Sequence, residues 1–430
     1  MIVPGLLHDH CSAVHPIAAG SPFLKELDLG RHGLRWLQPE VDCAHPLDDG
    51  TAGAFYRSID QTVDGLGIDG RRWRQVFAPL ATHFDDLIAD ATKPIIGLPR
   101  HPLGFARFGT AALLPATTFG RVWKTEEAKA LWAGVAAHTF HRLDRPFTTA
   151  VGLMLLVSGH AEGWVVAQGG SQSIADALVA DVRQHGGTIE TGQRVTSAKD
   201  LPPHDVLMLD VSPSSAADIL GDRLPARVAR AYRRFRHGPG AFKVDFAIEG
   251  DVPWIASAAR VAGTVHLGGS SDEVVTNELA VHRGQMPARP FVLVGQQYLA
   301  DRRRSVGNIN PLWTYAHVPH GYTGDATAAI IAQIERFAPG LRERIVGTAV
   351  RSTTDMAVHN ANYIGGDIIG GAASPIQLLF RPRVAVDPYF TGVPGVYLCS
   401  ASTPPGAGAH GMCGANAAAR ALAHVDGRSR

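Results

Sequence analysis

A chain of 430 residues with 45% apolar and 18% charged side chains is long enough for two or three domains around a large core. Its net charge of +1, without a basic run or an acidic tail, argues against nucleic acid as a partner.

Met1 is followed by Ile2-Val3-Pro4-Gly5 with no basic segment, so no secretory signal is expected. The first 50 residues are rich in His, Pro and Gly and predict loops and short strands. His8, His10 and His15 lie close together, but not at HExxH or facial-triad spacing, and no metal site is expected. Cys11, Cys43, Cys399 and Cys413 form no CxxC pair and are read as reduced thiols of a cytoplasmic protein.

Apolar residues at helical spacing predict helices over Arg71 to Ala91 and over Thr125 to His138, the second with Thr125 as N-cap and Glu126 and Glu127 in its first turn. Between them, Pro94 to Pro115 is expected to be loop-rich and apolar. The aliphatic run Val151 to Val157 is too short to cross a bilayer and predicts a core helix. Residues 61–160 are therefore assigned to a helical insertion. No GxSxG elbow surrounds Ser158 or Ser171, which argues against a hydrolase.

Gly169-Gly170-Ser171 opens a predicted helix from Gln172 to about His185, with Ile174, Leu178 and Val182 on one face and Gly186-Gly187 ending it. Thr188 to Val195 alternates as a strand, and Asp205 to Asp210 predicts a short buried strand closed by Ser212-Pro213. These are pieces of an α/β nucleotide-binding domain.

From Phe242 to Tyr315 the pattern is mostly β, followed by an amphipathic helix over Asp325 to Phe337. Residues 235–350 are assigned to a β-rich substrate domain. Trp313, Tyr315 and His317 alternate on one strand and line either a substrate cavity or ordinary core. The chain returns to the nucleotide-binding domain with a strand over Val396 to Ser400 and a last helix from about Met412 to His424.

Gly406-Ala407-Gly408-Ala409-His410-Gly411 matches GxGxxG. Pro404-Pro405 separates it from the preceding strand, and only 19 residues follow it, so it is not a standard dinucleotide fingerprint. Glycines allow close approach of backbone to a flat ligand, and a helix starting near Gly411 would turn its N–H groups toward it. The alternative is a Gly-rich turn before a C-terminal helix.

The stretch from Tyr397 to Leu422 resembles the C-terminal flavin motif of the phytoene desaturase-related FAD-dependent oxidoreductases. That group takes in carotenoid desaturases, carotenoid ketolase-like enzymes and the pyridine nucleotide-disulphide oxidoreductase domain-containing protein 2 clade. The HNANYIGGD block at 359–367, Arg381-Pro382, CSAVHP at 11–16, SPF at 21–23 and GTVHLGG at 263–269 are similar to further blocks of this family. QGGSQSIADAL followed by GTIETGQRV resembles its second cofactor-contacting unit.

The resemblance implies an α/β fold with a Rossmann-like FAD-binding domain from residues 1–60, 161–234 and 351–430. It implies FAD contacts from Val195, Ser402, Gly406, Gly408, His410, Gly411, Met412, Gly414 and Asn416. Family members normally open with a strand, GxGxxG and a helix. Gly5-Leu6-Leu7-His8-Asp9 resembles sequence that follows this unit, so an incomplete domain with weak FAD binding and poor solubility is expected.

The expected function is a FAD-dependent oxidoreductase or desaturase acting on an apolar small molecule, with no catalytic side chain named. The alternative is a flavin-free protein that keeps the fold for binding or interaction. Expected partners include a second copy of the chain and the surface of a membrane. The apolar stretch Phe105 to Phe119 either touches that membrane or is buried. The expected location is cytoplasmic, with eukaryotic members of the family mitochondrial.

Overall fold

The computed structural model describes residues 2–94 and 99–428. The fold is mixed α/β, with the strands β1 (Trp36–Leu37), β2 (Val41–Pro46), β3 (Ala52–Phe55), β4 (Val166–Ala167), β5 (Leu207–Leu209), β6 (Gly240–Glu249), β7 (Ala262–Leu267), β8 (Val292–Gly295), β9 (Ile309–Val318), β10 (Ile345–Arg351) and β11 (Val396–Leu398).

The larger sheet runs β10-β6-β9-β8-β7-β2-β3, antiparallel throughout except where β2 meets β7. Alternation along its strands sends side chains to two different surroundings. Phe242, Val244, Phe246 and Ile248 of β6 and Leu312, Ala316 and Val318 of β9 pack with Ile330, Ile334 and Phe337 of the helix Thr327–Phe337. Ala241, Trp313, Tyr315 and Leu293 face the other way, toward Leu131, Trp132, Leu153 and Leu156 of the helices Glu126–Ala136 and Thr148–Glu162.

β2 and β3, expected with the nucleotide-binding domain, join this sheet instead. Val41, Cys43, Ala44 and Phe55 are buried, and pairing of β2 with β7 and of β3 with β2 removes their backbone groups from water.

The predicted helix over 71–91 is two helices, Gly70–Thr82 and Phe84–Ala91, broken at His83. Thr125 caps Glu126–Ala136 by accepting from the Ala128 N–H. The loop expected over 94–115 holds a helix, Pro102–Ala112, started by proline at its first position; Ile95 to Leu98 lie outside the described residues. Phe108 and Phe119 of the apolar stretch are buried, whereas Leu103 and Leu113 point outward.

β5 and β11 form a second, two-stranded parallel sheet, in register from Leu207 against Val396 to Leu209 against Leu398. Ala216, Ala217, Val228 and Tyr232, from the helices Pro213–Leu220 and Ala226–Arg233, cover one side. Ala417 and Ala421 of the final helix Met412–Arg428 pack with Tyr389 and Tyr397. Thr188 to Val195, expected as a strand, has no strand structure, and its residues are mostly exposed. No neighbouring strand among the described residues offers it a hydrogen-bonding edge, and an unpaired strand in water does not hold its form.

Candidate functional site

A cavity of about 500 Å³ lies between the inner face of the larger sheet and the ends of β5 and β11. This falls in the range of small-molecule sites, roughly 300–1,000 Å³. Asp210, just past β5, and Ser400, Ala401 and Ser402, just past β11, line it. The cavity therefore opens at the carboxyl ends of two parallel strands, where α/β sheets take ligands.

The floor comes from one row across the larger sheet. Register places Lys243, Tyr315, Leu293 and His266 side by side on β6, β9, β8 and β7. Lys243, Tyr315 and Leu293 line the cavity directly, joined by Trp313, Thr264 and Phe140. The Lys243 ammonium is buried against the Asp245 carboxylate and stands 5.5 Å from the centre of the Trp313 ring. Desolvation lowers the pKa of Lys243 and raises that of Asp245. Arg351 approaches the same carboxylate at 3.7 Å. The Trp313 indole donates to the Cys11 carbonyl at 2.9 Å.

His138 follows the helix Glu126–Ala136 and reaches the cavity wall, with Nε2 3.0 Å from His266 Nε2. One ring must donate and the other accept, so the two cannot both be charged. Burial pushes the His138 pKa down to about 3 and holds His266 well below the usual range. His266 Nδ1 lies 3.4 Å from Cys43 Sγ. His317, the third of the alternating residues on β9, does not line the cavity; its Nδ1 lies 2.7 Å from the buried Glu278.

The opposite wall is loop backbone. Asp367 accepts from the N–H groups of Gly238, Ile369 and Gly371, which pins Gly370 at the cavity. Asn362 donates to the Asp210 carbonyl and accepts from the Ser212 N–H, which fixes the end of β5. Ser402 lines the cavity and donates to the Gly370 carbonyl at 3.0 Å. Ala407, Gly408 and Ala409 are exposed along the same wall, and among the described residues their N–H groups donate to nothing. Behind them Arg381, buried, donates to the Ala401 carbonyl at 2.9 Å.

Of the residues expected to touch FAD, the structure thus brings Ser402 and Gly408 to the cavity. It does not bring Gly406, His410, Gly411, Met412, Gly414 or Asn416 to the wall. The last helix is capped internally, because its Met412 N–H donates to His410 Nδ1 at 3.0 Å. A Cβ on Gly411 would meet the Phe23 ring at 2.7 Å, and one on Gly406 would meet Arg381 at 2.8 Å. Asn416 donates to the Thr92 carbonyl. Val195 is half-buried in the strand-free segment and does not line the cavity.

The helix Gln172–Gln184 is also closed to an outside anion. Its preceding N–H groups are taken by carboxylates of the same chain, Gly169 by Asp301 at 2.7 Å and Ser171 by Asp9 at 2.6 Å. Arg304, fully buried, pairs with Asp9 at 2.5 Å and stands 3.7 Å from Asp301. Two acids thus occupy the place where a helix start would hold phosphate. Lys243 and His138 were not singled out from sequence, and Thr264 and Asp367 only as members of the blocks at 263–269 and 359–367. Lys243 and Asp245 could have been, as charges two apart on the inward face of an apolar strand.

No protein-family model matches the chain. It is 24% identical over 339 residues to the rat pyridine nucleotide-disulfide oxidoreductase domain-containing protein 2, covering 64% of this chain and 55% of that protein. It is 36% identical over 86 residues to the mouse protein of that name, covering 20% of this chain and 15% of that protein. The chain thus spans little more than half the length of the rat protein. Among solved structures it resembles an oxidoreductase from Methanosarcina mazei, with a TM-score of 0.59 at 12% identity, covering 99% of this chain and 90% of that one. It also resembles putrescine oxidase, with a TM-score of 0.54 at 14% identity and 95% and 87% coverage. Cyclohexylamine oxidase from Brevibacterium oxydans gives 0.51 at 14%, with 94% and 85% coverage. The chain has the α/β fold of these oxidoreductases.

Proposed function

We propose that this chain is the substrate-binding and flavin-ring-binding part of a FAD-dependent oxidoreductase of the phytoene desaturase-related kind, acting on an apolar molecule. The observation that carries the reading is the cavity itself. It joins a mostly apolar sheet face to a strip of open backbone N–H groups at the carboxyl ends of two parallel strands. Those donors suit the carbonyl and nitrogen edge of a flavin ring, and the buried charge of Arg381 behind them opposes loss of negative charge in front.

When bound, the flavin would supply a hydride acceptor. The protein's part is to hold the substrate's apolar body against Leu293, Phe140 and Ile369, and to keep water from the reacting carbon. His138 contributes an uncharged ring to the wall, its Nε2 held by His266. Leu103 and Leu113, both exposed, support peripheral membrane contact by the helix Pro102–Ala112.

A second reading is favoured by the occupied helix start at Ser171: a flavin-free protein that uses the same cavity for binding. Anaerobic bleaching of flavin absorbance separates the two. With saturating FAD, an apolar alcohol is expected to bleach the colour, and Ala409→Trp, which fills the open wall, to prevent it. Failure to bind FAD, with apolar ligands still entering the cavity, would favour the second reading.

A further inference from the structure

The floor of the cavity carries hydrogen-bond donors that nothing in the protein uses. Tyr315 is 6% exposed, yet among the described residues its hydroxyl makes no hydrogen bond and is not sealed off either. The residue lines the cavity, so the hydroxyl's open surface belongs to it. Its ring is fixed by stacking on Phe140, centroids 6.1 Å apart at 14°. Lys243 is its direct cross-strand neighbour, so the two side chains stand about 5 Å apart at Cβ. The ammonium has Asp245 as its hydrogen-bond partner, which leaves donors over.

The charge pattern is just as selective. Asp210 is the one acid lining the cavity among the described residues, and it is exposed at the far wall beyond β5. On the floor, the aromatic face that could hold a cationic ligand, Trp313, already has Lys243 over it. A protonated amine arriving there would meet a like charge and find no carboxylate free, since Asp245 is shared between Lys243 and Arg351.

We infer that the Tyr315–Lys243 pair is a head-group site, and that the molecule this cavity takes has an apolar body and a hydrogen-bond-accepting oxygen at its inner end, a carboxylate or a neutral hydroxyl or carbonyl. This inference rests on reading the cavity as the substrate site, but not on flavin. It separates this chain from the amine-directed chemistry in the names of putrescine oxidase and cyclohexylamine oxidase, whose fold it shares. The body of the ligand would run from Lys243 along Leu293 toward His138, about three strand spacings or roughly 14 Å.

The test is a set of binding titrations on the full chain without flavin. Quenching of Trp313 and Trp164, both in the wall, is read in parallel with calorimetry. Decanoate, decanol and decylamine share one apolar body. Decanoate or decanol is expected to bind about tenfold or more tighter than decylamine, the worth of one hydrogen bond to a charged group. Decanoate ahead of decanol marks a carboxylate site, and the reverse a neutral oxygen.

Tyr315→Phe removes only the hydroxyl and keeps the stacked ring, and is expected to erase that preference while leaving the melting curve in place. The double variant Lys243→Met with Asp245→Asn removes the charges together and reads the same preference should the first variant not fold. Decylamine binding as tightly as decanoate, or the preference surviving both variants, would overturn the inference while leaving the cavity a ligand site. Failure of all three ligands to bind would overturn it together with the reading of the cavity. Flavin titrations stand apart from every one of these outcomes.

Discussion

Gly411 shows how a glycine in a motif serves packing. Its φ of +68° is a left-handed conformation, and the space a side chain would take is filled by Phe23. Gly411→Val is therefore expected to destabilise the contact between the helix Pro22–Glu26 and the last helix by about 1–3 kcal/mol, seen as a lower midpoint in urea. Gly414, two positions into that helix, meets nothing within 4 Å. Gly414→Ala is expected to leave stability unchanged or raise it by about 0.5–1 kcal/mol. Equal losses for both variants would show that the loop answers to something other than Phe23. The motif letters were legible in the sequence, but their targets were not. Phe23 and Arg381 reach the glycines only through the tertiary fold, from positions far away in the chain.

At the scale of elements, periodicity located most helices and strands because it reports which face is buried. The strands at 240–249 and 309–318 and the helix at 327–337 follow from it directly. It failed where existence depends on a neighbour. Thr188 to Val195 alternates correctly but has no edge to pair with, and Val41–Pro46 pairs with a strand more than 200 residues away. Helix starts show the same limit. Gly169-Gly170-Ser171 reads as a helix start, and only the fold reveals that Asp9 and Asp301 take its N–H groups. Replacing Asp9 by Ala removes the buried partner of Arg304 and is expected to cost about 3–5 kcal/mol by chemical denaturation. A loss below about 1 kcal/mol would mean that water reaches Arg304 and that the charge ring does not anchor this helix.

Across the whole molecule, the many buried histidines set a pH response. Burial holds His15, His45, His160 and His410 at about 4 and His138 at about 3, against an ordinary value of 6.5. Between about pH 4 and 6.5 the unfolded chain binds protons at these sites that the folded chain refuses. Their contribution is therefore fully present above 6.5 and is lost as pH falls through that window. Asp42, raised to about 7 by burial, works against them, because its folded form keeps a proton that the unfolded form releases. The histidines outnumber it. The melting temperature is expected to fall steadily from pH 7 to pH 4.5, the free energy of unfolding dropping by roughly 1.4 kcal/mol per pH unit for each net proton. A melting temperature that stays flat over this range would contradict the neutral, buried state of the His138–His266 pair.

The measurement closest to the centre is a fluorescence titration of the full chain with FAD and with riboflavin, side by side. The proposed function puts the ring against the open N–H groups of Ala407, Gly408 and Ala409, whereas the helix start at Ser171 has its N–H groups taken by Asp9 and Asp301. Saturable binding of both flavins is expected, FAD no more than a few-fold tighter than riboflavin, with both lost in Ala409→Trp. Failure of either flavin to bind, or binding that survives Ala409→Trp, would contradict the assignment of the cavity to a flavin ring.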